Sequence, residues 1–320
     1  MQWRNSGDEN MVVVLSLFDG ISCGRVALER AGIKVTRYYA SEIDSHAIEI
    51  SKKNYPDIIH LGDVKNWREW DLPKIDLIIG GSPCQGFSFA GKKLNFDDPR
   101  SKLYFEFLAC VRHFKPKHFL LENVKMRQDF RDIISKDLSV KPLLINSNLL
   151  SAQNRPRYYW TNIPIEMPDD LNVGLRSVIQ RGVASEYHLP KIWDEWVTKN
   201  PDFDVDGQKP FAMTERRTEE SKRIRREHMK KYGRDFSPRR GKELWPRSDG
   251  KMNCLTATYT VKEHSLVDED GVYRKLTPIE CERLQTLPDN YTEGISKSQR
   301  YKAIGNGWTV DVIAHILRGI

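Results

Sequence analysis

The sequence of 320 residues has no long apolar run and few cysteines. No apolar segment approaches the roughly 20 residues that a membrane-spanning helix requires, and the first residues lack the apolar core of a secretory signal. The five cysteines include no Cys-x-x-Cys pair, which argues against a disulfide framework and against a structural zinc site. We therefore expect a cytoplasmic, monomeric protein with reduced thiols, no bound metal and no membrane partner.

Positive charge is concentrated in one segment of the chain. Residues 216–247 hold thirteen Lys and Arg against five Asp and Glu, whereas the whole chain has 51 against 44. Tyr232, Phe236 and Trp245 are interleaved with these charges. Such a segment is typical of a surface that follows the phosphates of a nucleic acid. Acidic and basic residues at helical spacing also allow a solvated helix face, so both interpretations stay open on composition alone.

Short apolar segments alternate with amphipathic ones over the first half of the chain. The valine-rich residues 11–18 are typical of a strand buried on both faces, and a glycine-rich turn at 19–24 follows it. Further strands are predicted at 36–41, 58–61, 75–79, 118–121, 143–150 and 157–162. Intervening helices are predicted at 25–31, 45–53, 103–114 and 129–138. This alternation predicts an α/β fold with a doubly wound, mostly parallel sheet.

The alternation stops over residues 165–250. This segment contains proline, tryptophan and charged residues without a sustained period, which favours a smaller irregular domain or a large insertion. Beyond it, Thr277 and Pro278 predict the start of a helix, and a last helix is predicted at 309–317. We therefore predict three parts, which are a first domain at 1–164, an inserted domain at 165–250 and a return to the first domain at 251–320.

One cysteine stands on a turn built from glycine and proline. The stretch Gly80-Gly81-Ser82-Pro83-Cys84-Gln85-Gly86 directly follows the apolar residues 75–79. A strand, a tight turn and a thiol in this order place a nucleophile at the carboxyl edge of the sheet, where open α/β folds bind ligands. An isolated cysteine is also often an inert core residue, and that interpretation is favoured for the other four, Cys23, Cys110, Cys254 and Cys281.

Acidic residues occur at successive predicted strand ends, namely Asp19, Glu42, Asp63 and Asp76. Glu42 lies about 20 residues beyond the glycine-rich turn, where a dinucleotide fold has its ribose-binding acid. The turn lacks Gly-x-Gly-x-x-Gly, so a pyrophosphate cradle is not expected. An acid-lined pocket better suits a ligand with a ribose, an adenine and a positive charge, such as S-adenosylmethionine. Asp44 and Asp129 are instead predicted to cap helices.

The chain resembles the DNA cytosine-5 methyltransferases in motifs that occur in family order from residue 12 to residue 318. Phe18-Asp19-Gly20-Ile21-Ser22-Cys23-Gly24 is similar to the family's cofactor loop, with a spacing like that of the vertebrate de novo enzymes. The other matching motifs are Gly81-Ser82-Pro83-Cys84-Gln85, Glu122-Asn123-Val124, Gln153-Asn154-Arg155-Pro156-Arg157, and residues 274–285, which resemble the helix that organises the target-recognition domain. Gly305-Asn306-Gly307-Trp308 stands where the family usually has Gly-Asn-Ser-Val.

The resemblance implies a role for each motif residue. Cys84 would add to C6 of cytosine, protonated Glu122 would bond to N3, and Arg155 or Arg157 would support the base at O2. S-adenosylmethionine would be the cofactor and S-adenosylhomocysteine the product. The implied cofactor-binding residues are Phe18, Asp19, Gly20, Ile21, Gly24, Glu42, Ile43, Asp63, Val64, Gly80, Pro83, Asn306 and Trp308.

The same resemblance implies duplex DNA as the partner, with the target cytosine flipped out of the stack. The predicted DNA-binding residues are Gln85, Ser88, Lys92, Arg100, Arg225, Arg226, Lys230 and Lys231. A stand-alone prokaryotic or phage enzyme of restriction-modification type is expected. Two alternatives stay open. A tRNA cytosine-5 methyltransferase would share the catalytic motifs, although its Cys-Phe-Thr tripeptide is absent here, and an inactive DNA-binding relative would have lost the nucleophile or the loop glycines.

Overall fold

The apolar strands of the first half form one seven-stranded sheet. The computed structural model describes residues 11–82, 102–204, 206–233, 241–258 and 264–320. The strands are β1 (Met11–Leu17), β2 (Lys34–Ser41), β3 (Ile59–His60), β4 (Leu77–Gly80), β5 (His118–Val124), β6 (Leu143–Asn146) and β7 (Pro156–Thr161). Their order is β3-β2-β1-β4-β5-β7-β6, with β7 antiparallel to both neighbours and the first five mutually parallel. The predicted doubly wound, mostly parallel sheet is confirmed.

Helices cover both faces of this sheet, because successive residues of a buried strand point to opposite sides. The helices between the strands are α1 (Cys23–Arg30), α2 (Ser45–Asn54), α3 (Lys102–Phe114) and α4 (Gln128–Leu138). Val14 of β1 belongs to the core cluster that contains Val26 of α1. The next residue, Leu15, belongs to the opposite cluster with Phe107 of α3 and Ile134 of α4. The continuous apolar run of β1 is therefore the consequence of two cores on its two faces.

The two predicted helix caps have different outcomes. Asp44 caps α2, since its Oδ1 accepts the N–H groups of His46 at 3.0 Å and Ala47 at 3.3 Å. The prediction for Asp129 is wrong, because α4 already begins at residue 128 and its N-cap is Arg127. The carboxylate of Asp129 instead binds the guanidinium of Arg127, with Nη2 to Oδ2 at 2.6 Å. An acid in the first turn still favours the helix through the macrodipole.

A second, antiparallel sheet occupies much of the segment predicted to be irregular. Its strands, in the order β11-β10-β8-β9, are β8 (Phe211–Arg217), β9 (Lys242–Pro246), β10 (Ser265–Val267) and β11 (Tyr273–Lys275). Helices α5 (Pro190–Lys199) and α6 (Glu219–Tyr232) accompany it. The predicted smaller second part is confirmed, and it is more regular than predicted, because it contains this antiparallel sheet and two helices. Because β10 and β11 lie beyond residue 250, strands from both sides of that predicted boundary pair in one sheet, and the three-part division of the chain stays a prediction.

The core of this second sheet is aromatic. Trp193 of α5 stacks on Trp196 at 5.3 Å between ring centroids and on Tyr273 at 5.6 Å. Phe203 meets Phe211 edge to face at 5.7 Å. Large rings fill the space between short strands with few residues, so the segment needs no long apolar run. This is the physical reason why a search for apolar periods misses it.

The chain returns to the large sheet through α7 (Pro278–Leu284), α8 (Lys297–Asn306) and α9 (Val310–Leu317). Thr277 caps α7 as predicted, and Glu280 completes a capping box with it. Helix α9 packs against α1, where Arg30 and Asp311 form an ion pair at 2.7 Å. The sequence did not predict α8, which carries only a weak apolar stripe. In the part of the chain that the structure describes, no helix is long and apolar enough to cross a membrane.

Candidate active site

The turn after β1 bends sharply at the carboxyl edge of the sheet. Phe18, Gly20 and Ser22 have φ values of 59°, 60° and 61°, in the left-handed region that favours glycine. The N–H of Gly20 donates to Oε2 of Glu42 at 2.8 Å, which ties this turn to the end of β2. A Cβ added to Gly20 would meet no atom within 4 Å, so the turn borders open space.

Asp19 is a buried carboxyl group in this turn. Ser22 Oγ donates to its Oδ2 at 2.5 Å and Tyr38 Oη donates to its Oδ1 at 2.7 Å. Burial raises the pKa of Asp19 to about 6, and hydrogen bonds from Ser16, Ser22 and Tyr38 only partly oppose that effect. Asp19 therefore changes its charge close to neutral pH.

Glu42 and Asp63 lie at the ends of the neighbouring strands β2 and β3. Oε1 of Glu42 accepts the N–H groups of Ile43 at 2.7 Å and Asp44 at 2.9 Å. Oδ1 of Asp63 accepts the N–H of Lys65 at 3.0 Å. Ile43, between the two acids in the chain, is 73% exposed although it is apolar. The structure thus brings two predicted cofactor-binding carboxylates to one edge, beside an uncovered apolar side chain.

Some residues of the predicted cofactor set are buried in the core, and their part in cofactor binding stays a prediction. Ile21 and Val64 are buried in the two clusters on opposite faces of the sheet. Gly24 is buried against Ile79 and Tyr38, where a Cβ would lie 2.3 Å and 3.0 Å from their atoms. These residues shape the walls of the site through packing.

Asp76 does not lie with the other acids. It precedes β4, which begins two residues later than predicted, and its Oδ2 accepts the N–H of Val13 at 3.0 Å. Asp76 therefore stands at the amino edge of the sheet, opposite Asp19 and Glu42. The prediction that it ends a strand is wrong.

Glu122 lies inside β5, which extends to Val124 and so is longer than predicted. The extension exists because β7 pairs with β5 from Leu120 to Val124, with Glu122 opposite Tyr159 and Val124 opposite Arg157. Residues two positions apart on a strand share a face, so Arg157 faces Glu122 diagonally across the pair. Its Nε lies 2.9 Å from Oε1 of Glu122, and both side chains are nearly buried.

The other oxygen of Glu122 has a different donor. Nε1 of Trp308, which follows α8, donates to Oε2 at 3.1 Å. Gly81 lies against both groups, since a Cβ at this position would be 2.9 Å from Oε2 of Glu122 and 2.9 Å from Nε1 of Trp308. A side chain at residue 81 would push this pair apart, which explains the glycine.

The end of β5 also holds the segment that leads to the predicted nucleophile. Nδ2 of Asn123 donates to the carbonyl oxygen of Ser82 at 3.3 Å and approaches its Oγ at 3.2 Å. Ser82 is the last described residue before Pro83 and Cys84. The predicted residues that lie outside the described ranges are Pro83, Cys84, Gln85, Ser88, Lys92 and Arg100.

Arg155 and Arg157 have different surroundings. Arg155 is buried and donates to the carbonyl oxygens of Leu255 at 2.6 Å, Gly305 at 3.2 Å and Gly307 at 2.9 Å. Its guanidinium thus links β7 to two distant segments of the chain. Only Arg157 of the two reaches the carboxylate of Glu122.

Cys254 is a site residue that sequence reasoning missed. Three of the four described cysteines are buried, as predicted, whereas Cys254 is partly exposed. Its Sγ lies 3.5 Å from Nη1 of Arg155 and 3.7 Å from Nη2 of Arg157. Burial raises the pKa of this thiol, but the two guanidinium groups outweigh burial and the net pKa is lowered. No local signal reveals this, because the partners are about a hundred residues away.

A buried ionic cluster in the motif at 274–285 ties helix α7 to the second sheet. Arg274, with no exposed side-chain surface, binds Asp268 through Nε at 2.8 Å and Glu280 through both Nη atoms, at 2.9 Å and 2.8 Å. Glu280 also accepts the N–H of Gln180 at 2.8 Å. The helix that carries Glu280 is thereby locked to the second sheet.

The predicted DNA-binding residues of the second part lie on α6. Arg226, Lys230 and Lys231 are exposed, and Arg225 is partly buried. Ion pairs on the same helix join Lys222 to Glu219 at 2.6 Å, and Arg223 to both Glu220 and Glu227 at 2.7 Å. Lys222 and Arg223 are thus paired with acids on the same helix, and Arg226, Lys230 and Lys231 add exposed positive charge.

A model of the C-5 cytosine-specific DNA methylase family matches residues 12–320. The chain belongs to this family. The contacts of Glu122 with Arg157 and Trp308 are therefore found in a member of this family. The methylase family implies the use of S-adenosylmethionine as the methyl donor.

Two type II methyltransferases show how similar this methylase is to its relatives. M1.ScrFI of Lactococcus lactis subsp. cremoris is 32% identical over 326 residues, which cover 94% of this chain and 75% of the relative. M.HhaI of Haemophilus parahaemolyticus is 28% identical over 330 residues, which cover 96% and 93%. Among solved structures, the methyltransferase EhMeth of Entamoeba histolytica has the same fold, with a TM-score of 0.62 and 20% identity over 97% of this chain and 98% of that chain.

The predicted activity is confirmed by the family and the relatives: this methylase is an enzyme, a DNA cytosine-5 methyltransferase that acts on DNA. The alternative of a tRNA methyltransferase is not favoured by these relatives. The monomeric state and the absence of a metal stay predictions.

Proposed function

We propose that this enzyme transfers a methyl group from S-adenosylmethionine to C5 of a cytosine flipped out of a specific duplex sequence, through a covalent bond between Cys84 and C6. The observation that carries the proposal is the placement of Glu122. Its carboxyl group is held by Arg157 and lies beside the segment Gly81-Ser82, from which the chain continues directly to Pro83 and Cys84. An acid and a nucleophile can therefore act on one base.

The chemistry requires both groups, because C5 of cytosine is a poor nucleophile. The Cys84 thiolate adds to C6, the π electrons of the C5=C6 bond shift to C4–C5, those of C4=N3 shift to N3, and protonated Glu122 gives N3 its proton. C5 is then enamine-like and accepts a methyl group. Loss of the C5 proton to a base, expulsion of the thiolate from C6 and return of the N3 proton to Glu122 restore the aromatic ring and the free enzyme.

Arg157 is the arginine that supports this chemistry. Its Nε holds Oε1 of Glu122, and the rest of its guanidinium stands at the same edge, where it stabilises negative charge on the base at O2. Arg155 contributes differently, because its donors go to the carbonyl oxygens of Leu255, Gly305 and Gly307. We assign it to holding the segments around the site together.

The carboxyl edge of β1, β2 and β3 fits the proposed cofactor. Glu42 and Asp63 offer carboxylate oxygens for the ribose hydroxyls and the adenine amino group, and exposed Ile43 offers an apolar contact for the purine ring. The turn at Gly20 borders open space, so it leaves room for a ligand. When bound there, S-adenosylmethionine would supply an electrophilic methyl group on its sulfonium. The remaining residues proposed for this pocket are Phe18, Asp19, Ile21, Gly24, Val64, Gly80, Pro83, Asn306 and Trp308.

The second sheet and α6 would form the DNA-binding part of the enzyme. A base inside a duplex is out of reach of Cys84, so the enzyme must flip it out at a cost of a few kcal/mol. Basic residues that bind phosphates offset part of this cost and position the duplex. The exposed residues Arg226, Lys230 and Lys231 of α6 are the described candidates for that contact.

A mechanism-based trap tests the proposal. DNA with 5-fluorocytosine at the methylated position should form an adduct that survives denaturation, because fluorine at C5 cannot leave as the proton does. Methylation sequencing of DNA from a host that expresses the enzyme identifies the target sequence beforehand. The wild type should form the adduct and Cys84→Ser should not.

Cys254→Ser is the matched control, since its thiol is partly exposed and lies beside Arg155 and Arg157. This variant should keep the adduct. If Cys84→Ser forms the adduct and Cys254→Ser does not, Cys254 is the nucleophile and the proposal is overturned.

A further inference from the structure

Trp308 stands between the proposed cofactor pocket and the carboxyl group of Glu122. Its Nε1 donates to Oε2 of Glu122 at 3.1 Å. The far side of its ring system faces α1, where a Cβ on Gly24 would lie 3.5 Å from Cζ3. The indole therefore contacts both the cofactor loop and the proposed acid, and a valine in its place would offer no N–H group.

The backbone around Trp308 is anchored on both sides. The carbonyl oxygen of Gly307 accepts hydrogen bonds from Arg155 at 2.9 Å and Gln285 at 3.0 Å. Thr309 is buried, and its Oγ1 bonds to Gln285 at 2.9 Å and to Ser147 at 2.9 Å. Because both neighbours are held, the backbone that carries the indole is anchored by the fold.

Glu122 receives one donor on each oxygen, Arg157 on Oε1 and Trp308 on Oε2. A carboxyl group with one donor can still rotate about its last bond, whereas two donors on opposite oxygens fix its plane. Each oxygen keeps a second acceptor position for a proton or for the base. The arrangement thus orients the group without blocking it.

We propose that Trp308 is a positioning residue, whose indole N–H fixes the plane of the Glu122 carboxyl group so that it meets N3 of the flipped cytosine. The inference rests on the proposed function, in which Glu122 acts on the base. Trp308 touches neither reacting atom. It acts through Glu122, and Arg157 acts through the same group from the other side.

Two reciprocal variants separate this role from simple packing. Trp308→Phe keeps an aromatic ring and removes the donor. Trp308→His removes the larger ring, but its Nε2–H can occupy the position of the indole N–H. The matched control is Trp67→Phe, because Nε1 of Trp67 donates to Oε2 of Glu106 at 2.8 Å, which is the same kind of bond away from the site.

The measurement is the single-turnover rate of methyl transfer at saturating DNA and S-adenosylmethionine, together with calorimetric binding of S-adenosylhomocysteine in the absence of DNA. We expect Trp308→Phe to lower the rate about 10-fold and to change cofactor affinity less than about twofold. Trp308→His should keep a rate close to that of the wild type while it binds the cofactor more weakly. Trp67→Phe should keep the wild-type rate and the wild-type affinity for S-adenosylhomocysteine.

The outcomes are distinct. A wild-type rate in Trp308→Phe, or equal losses of rate in both variants at position 308, would show that the indole only fills space and would overturn the inference. Thermal unfolding of each variant confirms that the compared proteins are folded, and Trp308→His alone decides the question if Trp308→Phe does not fold. An inactive wild type would instead refute the proposed function.

Discussion

Nε of Arg157 lies 2.9 Å from Oε1 of Glu122 across the antiparallel pair β5 and β7. The two residues come from separate motifs, and their contact exists because the register places Glu122 opposite Tyr159, two positions from Arg157. A carboxylate so nearly buried is costly without a partner. The guanidinium therefore both stabilises Glu122 and determines where it points.

Removal of this partner should affect stability and activity together. We expect Arg157→Gln to lower the free energy of unfolding by about 2–3 kcal/mol, because it leaves the Glu122 carboxylate without its charged partner. Methyl transfer should fall by about 100-fold or more. Urea unfolding and single-turnover kinetics measure the two effects. The double variant Arg157→Gln with Glu122→Gln should recover part of the lost stability without recovering activity, and additive losses in stability would contradict the direct coupling.

The acids at the ends of β2 and β3 should bind the cofactor. Glu42→Gln and Asp63→Asn are each expected to weaken the binding of S-adenosylhomocysteine by about 1.5–3 kcal/mol, since each removes a charged acceptor of a hydrogen bond. Calorimetry measures the dissociation constants. Asp76→Asn is the matched control, because its carboxylate also accepts a backbone N–H but lies at the opposite edge of the sheet. Unchanged affinity in both test variants would remove these residues from the pocket.

The charges of α6 should divide into two classes. Lys230→Gln with Lys231→Gln should weaken binding to duplex DNA and reduce the slope of log affinity against log salt by about 0.9 for each lost phosphate contact. The control pair Lys222→Gln with Arg223→Gln changes the net charge equally, but its side chains form ion pairs with Glu219, Glu220 and Glu227. It should leave the slope nearly unchanged.

A titration of DNA binding at several salt concentrations gives both slopes. Equal effects of the two pairs would mean that α6 acts only through net charge. The same titration on a variant with Arg225, Arg226, Lys230 and Lys231 all neutralised sets the largest effect to expect. If that variant keeps the wild-type slope, α6 does not bind phosphates.

Asp19 should give the enzyme a pH-dependent stability. Its pKa is about 6 in the folded protein because of burial, and it is lower in the unfolded chain, so the folded state binds the proton more tightly. The contribution of Asp19 to the free energy of unfolding therefore rises as the pH falls through 6. Asp19→Asn lacks this titration. When the pH falls from 7.5 to 5, the free energy of unfolding of the wild type, measured with urea, should rise by about 1 kcal/mol relative to that of Asp19→Asn. Parallel curves would contradict the raised pKa.

The alternation of strands and helices was predictable from the sequence because it is a local property. Parallel strands buried on two faces need continuous apolar runs such as β1, and glycine-rich turns such as that at Gly20 follow from the backbone conformation alone. The order of the motifs was also visible in the sequence, and it named Glu122, Arg157, Glu42 and Asp63 as candidates. The structure brings Arg157 to Glu122 and places both Glu42 and Asp63 at one edge.

Only the tertiary structure decided how those residues meet. Arg155 and Arg157 are indistinguishable in the sequence, yet Arg155 lies just before β7 and binds carbonyl oxygens, whereas Arg157 lies in β7 and binds Glu122. The setting of Cys254 depends on partners about a hundred residues away, and that of Trp308 on one 186 residues away. The second sheet has short strands around an aromatic core, so its local pattern is weak. Apolar periodicity reports which face of an element is buried, whereas the pairing of distant charges and donors depends on the register and packing of the whole fold.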